Sequence, residues 1–286
     1  MEALRASYGD TSSDSESDSD SSRPTTTTNN SQDSNPLPPP PVSLLTPPNS
    51  IGTLNYLQTG QASRVRSFPH AEGNYALHVF IPVYIPSAPK KELAQFLKKV
   101  TSLVSGLHVV DVDVPLNILC KDDHKLEQIA LEKEFHISLG RTVPIRVHQI
   151  DSVVSLLRQK LQCKRRFWID FSKWEVFVND DHTRTFLSME VITGGLAEIT
   201  KQIQSVNEVY KLHNLPEFYQ DPRPHISLAW ALGDISILLK RVVEEEKKRY
   251  ITVEGSSQKR IFTSKFSGIE CKIGNKAYKI CKCPEE

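Results

Sequence analysis

The sequence predicts a two-lobed α/β (α+β) body behind an unstructured N-terminal tail. Three observations carry this. Strand-length runs rich in β-branched and aromatic residues alternate with helical stretches of 14–18 residues from Arg66 onward. One order of elements (strand, helix, strands, then His-Ile-Ser-Leu followed by a helix) occurs twice, which implies internal pseudo-symmetry. Residues 1–50 have a quite different composition.

The elements follow in order. Tyr75–Val83 reads as a buried strand. Lys90–Leu103 places Leu93, Phe96, Leu97, Val100 and Leu103 at helical spacing. Leu107–Leu119 is strand-like through its valines, and Phe135–Leu139 is a short strand. Pro144 is read as opening a helix that Val153–Leu161 continues. Phe167–Val178 and Thr185–Ile192 form two strands joined by a hairpin turn at Asn179–His182, with Trp168 and Trp174 expected in the core or at the edge of that sheet. Leu196–Leu212 is a helix whose apolar stripe is Ile199, Ile203, Val206, Val209 and Tyr210. Ile226–Leu232 is a strand and Ile235–Glu246 a helix; Ile251–Val253, Arg260–Ile269 and Ala277–Ile280 read as closing strands.

The tail alternates serine with acids from Asp10 to Ser22 and crowds prolines over Pro36–Pro48. Such a segment buries too little apolar surface to offset the entropy of ordering, so residues 1–63 are expected to be a disordered tail and linker, and 64–286 the folded domain. Its acidic serines suit phosphorylation. Residues 1–50 carry a net −5, so the rest carries +6 of the overall +1. A basic body fits a polyanionic partner such as RNA. No apolar run approaches the roughly 20 residues of a membrane span, so no membrane association is expected. Five cysteines without regular spacing read as reduced thiols; Cys271, Cys281 and Cys283 cluster but lack the paired C-x-x-C spacing of a zinc site.

The chemistry rests on Phe135-His136-Ile137-Ser138-Leu139-Gly140 and Pro224-His225-Ile226-Ser227-Leu228-Ala229-Trp230, 89 positions apart. Side chains alternate faces along a strand. His136, Ser138 and Gly140 should then share one face, as should His225, Ser227 and Ala229, with small residues keeping a cleft open. Ile226, Leu228 and Trp230 should share the other. A single His-x-Ser says little; the same string in two matching contexts says much more. Paired imidazoles suit displacement at phosphorus. One takes a proton from the nucleophile and the other gives one to the leaving oxygen, both near neutral pH. The serines can donate to the non-bridging oxygens, where charge builds. That chemistry requires no metal or other cofactor. The remaining histidines (His70, His78, His108, His124, His148, His182 and His213) lack a repeated context and are expected to be structural or exposed. Lys164-Arg165-Arg166 and Lys247-Lys248-Arg249 are short basic patches, expected chiefly as solvated surface, with RNA contact or nuclear import as the alternatives.

The paired motifs resemble the two-histidine (2H) phosphoesterase superfamily. Arg64-Val65-Arg66-Ser67-Phe68-Pro69-His70, Thr183-Arg184-Thr185-Phe186, Phe218-Tyr219-Gln220-Asp221-Pro222 and Gly274-Asn275-Lys276 narrow the resemblance to its U6 snRNA phosphodiesterase family, over residues 64–283. The first motif departs from the family in continuing Gly140-Arg141-Thr142. The resemblance implies a bilobal fold of two antiparallel sheets flanked by helices around a central cleft. It also implies a nuclear 3′→5′ exoribonuclease that trims oligouridine by transesterification and leaves a 2′,3′-cyclic phosphate. His136 would be the general base and His225 the general acid, with exchange of roles left open. Ser138, Ser227 and Arg223 would bind substrate, and Tyr219 would stack on the terminal base. The partner would be a single-stranded RNA 3′ end, and a monomer is expected. The rivals are another 2H enzyme, such as a cyclic nucleotide phosphodiesterase or a 2′–5′ RNA ligase-like protein, and a non-catalytic RNA-binding module.

Overall fold

The computed structural model describes residue 68 and residues 71–162, 165–254 and 260–283, with side chains described up to residue 248 in the last helix. The tail and linker expected over 1–63, most of the Arg64–His70 motif, Cys163 and Lys164 lie outside the described residues.

In chain order the elements are β1 (Asn74–Tyr84), α1 (Ser87–Leu103), β2 (His108–Val109), α2 (Leu116–Leu119), α3 (Asp123–Leu126), β3 (Glu134–Ser138), β4 (Val143–Arg146), α4 (Ile150–Lys160), β5 (Trp168–Val178), β6 (Arg184–Val191), α5 (Leu196–Leu212), β7 (His225–Leu232), α6 (Ser236–Glu254), β8 (Phe262–Lys265), β9 (Gly268–Ile273) and β10 (Lys276–Lys282). They make two antiparallel sheets. The first runs β10-β9-β1-β3, with β4 also on β1; the second runs β2-β7-β6-β5-β8. Each sheet receives one of the two His-Ile-Ser-Leu strands.

Alternation decides what each sheet buries. On β1, Leu77, Val79, Ile81 and Val83 are fully buried in the core, which turns His78, Phe80 and Pro82 to the opposite face. On β5, Trp174 and Val176 enter the core while Lys173, Glu175 and Phe177 face the other way. Helices cover the apolar faces. α4 packs with α5 and lies along β10 of the first sheet; α1 packs with α6, which lies along β5 of the second. The stripe read from α5 is the buried one, Ile199, Ile203, Val206, Val209 and Tyr210. Phe96 of α1 stacks on Trp174 at 4.1 Å, which places Trp174 in the core, whereas Trp168 at the start of β5 is exposed.

Five sequence readings are corrected. Leu107–Leu119 is no strand beyond His108–Val109, because Asp111 and Asp113 take left-handed backbone (φ 68° and 57°), and the segment ends in a helical turn. Pro144 lies in β4, which pairs with β1 alone, and such an edge tolerates a missing N–H. Ile251–Val253 continues α6. Arg260–Ile269 splits into β8 and β9, whose strands pair with β5 and β1 in different sheets. Wholly reduced thiols are corrected at Cys281, which is disulfide-bonded; Cys120, Cys271 and Cys283 are free. Among the described residues no helix is long and apolar enough to cross a membrane.

Candidate active site

β3 lies against β7, so the two histidine strands meet where the sheets meet. On β3, Phe135 and Ile137 are buried in the core while His136 and Ser138 are half-buried on the opposite face. The neighbouring strand completes this half. β1 pairs with β3 so that Pro82 opposes His136 and Phe80 opposes Ser138. His78, two residues further along that face, brings its Nε2 to 3.0 Å from Ser138 Oγ. Its ring stacks on Phe80 at 5.0 Å and meets His136 edge-on at 4.9 Å. Burial lowers the pKa of His136, assisted by Lys133 and Lys272 and opposed by Asp111 and Glu134. His78 is driven down to about 3, first by burial and then by the charges of His136 and Lys272.

The second half is built differently. His225 Nδ1 lies 2.7 Å from the carbonyl oxygen of Arg223, which accepts its proton and leaves Nε2 as the working nitrogen. The imidazole stacks on Phe177 of β5 at 4.0 Å, and the Arg223 guanidinium covers Phe177 at 4.8 Å. Two carboxylates fix that guanidinium. Arg223 Nε and Nη2 donate to Glu190 at 2.6 and 2.7 Å, and Nη2 also donates to Glu175 at 2.7 Å. Lys173 donates to both acids. Nη1 of Arg223 has no hydrogen-bond partner among the described residues. Burial lowers the pKa of His225, while the Arg223 carbonyl and Glu190 pull it back up and His136 and Arg223 push it down. Protonation at one histidine therefore disfavours it at the other. Ser227 Oγ is 2.9 Å from Ser188 Oγ on β6.

At the rim, the exposed Tyr219 donates to Asp180 at 3.1 Å. Arg141 donates to the other oxygen of Asp180 at 2.7 Å and lays its guanidinium 4.2 Å over the Tyr219 ring. The loop after β3, the β5–β6 turn and the segment before β7 are thus tied together. One face of Tyr219 is covered by Arg141.

The six sequence-chosen residues, His136, Ser138, His225, Ser227, Tyr219 and Arg223, therefore fall around the junction of the two sheets. Two details of the small-residue argument are corrected. Gly140 lies past the end of β3 and faces α5: a Cβ there would approach Tyr210 and Val206 at 3.0 Å. On β7 a bulge falls between the Leu187–Ala229 and Ser188–Ser227 pairs. It sends Ala229 into the core and turns Trp230 to the histidine side, where it stacks on His108 at 5.2 Å and donates to Asp113. His78, Phe177, Ser188 and Glu190 were missed. Period-2 alternation around Val79 and Ile81 puts His78 on the polar face, so its signal was present; the other three depend on long-range register.

Two His-x-Ser strands, one from each antiparallel sheet, lie side by side at the junction of two lobes, the arrangement that the resemblance to two-histidine phosphoesterases implies. Residues 38–281 match the HVSL family, described as an uncharacterised conserved protein. The U6 snRNA phosphodiesterase 1 of Danio rerio is 35% identical over 219 residues, 75% of this chain and 69% of the relative. That of Homo sapiens is 31% identical over 222 residues, 77% of this chain and 74% of the relative. A solved structure of Kluyveromyces marxianus Usb1 covers 74% of this chain and 99% of its own, at 16% identity and a TM-score of 0.46. The chain belongs to the HVSL family, the family of the U6 snRNA phosphodiesterases 1.

Proposed function

We propose that this chain is a monomeric nuclear 3′→5′ exoribonuclease that trims the oligouridine 3′ end of U6 snRNA and leaves a 2′,3′-cyclic phosphate. The observation that carries this is the junction of β3 and β7, which brings two half-buried imidazoles of lowered pKa within electrostatic reach of one another, each two residues from a hydroxyl. The relatives' name supplies the substrate.

In this scheme His136 takes the proton of the penultimate 2′-hydroxyl. The 2′-oxygen attacks phosphorus, the bond to the 5′-oxygen of the terminal nucleoside breaks, and that oxygen takes the Nε2 proton of His225. The surroundings support these roles. His225 has a carbonyl on Nδ1 and Glu190 nearby to support its cationic form; no hydrogen bond to His136 is found among the described residues. Ser138 and Ser227 donate to the non-bridging oxygens, and Arg223 Nη1 adds a contact there. Tyr219 stacks on the terminal base with the face that Arg141 leaves open.

A mass-resolved digest of oligouridine RNA in EDTA tests this. Shortening from the 3′ end with cyclic phosphate ends is expected, and His136→Ala and His225→Ala should each slow it by roughly a thousandfold. Undiminished trimming by either variant, or no action on a 3′-hydroxyl RNA, refutes the proposal. The second result would favour a phosphodiesterase restricted to cyclic phosphates.

A further inference from the structure

A serine hydroxyl has one hydrogen to give, and the partner of its oxygen decides where that hydrogen points. For Ser138 the partner is His78, at 3.0 Å through Nε2. The His78 ring is held on two sides, stacked on Phe80 at 27° and edge-on to His136 at 85°. A neutral imidazole carries its hydrogen on one nitrogen only. On Nδ1, it would leave Nε2 to accept the serine hydrogen, and the phosphate would lose its donor. On Nε2, it donates to Ser138 Oγ and frees the hydroxyl hydrogen for the substrate.

We infer that His78 is a positioning residue of the site: its Nε2–H donates to Ser138 Oγ and aims the serine hydroxyl at the transferring phosphate. The inference rests on the two-histidine reading of the site. Burial beside His136 and Lys272, which holds the ring neutral, keeps the choice to these two tautomers. The other lobe uses a different device, since Ser227 is backed by the hydroxyl of Ser188.

Three variants and one spectrum test it. His78→Phe keeps the ring and its stack on Phe80 but removes the donor. His78→Gln keeps an N–H at about the reach of Nε2. His78→Phe is expected to lower kcat by roughly 10- to 100-fold with KM nearly unchanged, and His78→Gln to recover most of that loss. In a Ser138→Ala background, His78→Phe should cost less than about twofold more, because the group it directs is gone. Wild-type rate in His78→Phe, or losses that multiply in the double variant, overturns the inference. If His78→Phe does not fold, imidazole ¹⁵N NMR of the wild-type protein decides: a hydrogen on Nε2 is expected, and one on Nδ1 refutes the positioning role. Trimming that survives His136→Ala or His225→Ala would instead bring down the two-histidine reading, while the tautomer would still be measured.

Discussion

Arg223→Met tests how the second half of the site is held. The substitution keeps the stem length and removes three charge-assisted hydrogen bonds, two to Glu190 and one to Glu175. Glu190 is the sensitive partner. It is buried, and without Arg223 its remaining cation is Lys173 at 3.4 Å. Breaking a fully buried ion pair costs about 3–5 kcal/mol. The Arg223 side chain is 38% exposed, so solvent screening brings the figure to roughly 2–3 kcal/mol. For a domain of this size that lowers Tm by roughly 5–10 °C in a thermal melt. Most of the cost is the stranded carboxylate, so adding Glu190→Gln should return part of it. Removing the guanidinium also removes a charge that depresses His225, so the alkaline limb of kcat/KM should move to higher pH. A melt unchanged from wild type, or a double variant less stable than Arg223→Met, would refute this account. A KM rise without loss of stability would instead make Arg223 chiefly a substrate contact.

Three further outcomes follow from the same geometry. Lys173 and Arg223 hold the Glu175 carboxyl at about 2. A depressed carboxylate contributes stability above its ordinary value of 4.5 and loses it as pH falls toward 2, so the unfolding free energy from urea melts should drop across that window by about 1–2 kcal/mol, and Glu175→Gln should flatten the drop. Burial lowers the pKa of both histidines, so His225 loses the proton it must donate below the ordinary value of 6.5, and kcat/KM should already be falling as pH rises through neutrality; a rate still climbing at pH 8 would contradict the assigned acid. Gly140→Ala should destabilise by about 1–3 kcal/mol in denaturant melts, because its methyl group meets Tyr210 and Val206 at 3.0 Å.

The parts legible in the sequence are those that local patterns determine. The stripe of α5 put the right residues in the core, because a helix packed on one face must repeat its apolar positions with its own period. His136 and His225 were legible because the string repeats. Errors arose where backbone choices outweigh composition. The valines after Leu107 look like a strand, yet two left-handed aspartates end it. Pro144 suits a helix start and an edge strand equally, and only pairing with β1 chooses. The face of Trp230 was read wrongly because one bulge reverses alternation, and a bulge leaves no mark on the hydrophobic pattern. Phe177 and Ser188 reach the site through β5–β6–β7 register, which no short window contains.

The two His-Ile-Ser-Leu strings are identical, and their surroundings make them unequal. His225 has its Nδ1 on a carbonyl, a phenyl ring against its face and Glu190 in electrostatic reach. His136 has the edge of a neutral imidazole, and its acids Asp111 and Glu134 are opposed by Lys133 and Lys272. A proton on His136 also repels one on His225. In the proposed reaction these surroundings suit His225 to carry the proton that the leaving oxygen needs. In that scheme the 2′-hydroxyl proton arriving on His136 would push the other proton off His225 toward that oxygen. The repeated sequence supplies the two groups; on the proposed scheme it is the unlike residues of β1, β5 and β6 that would set the direction in which the proton moves.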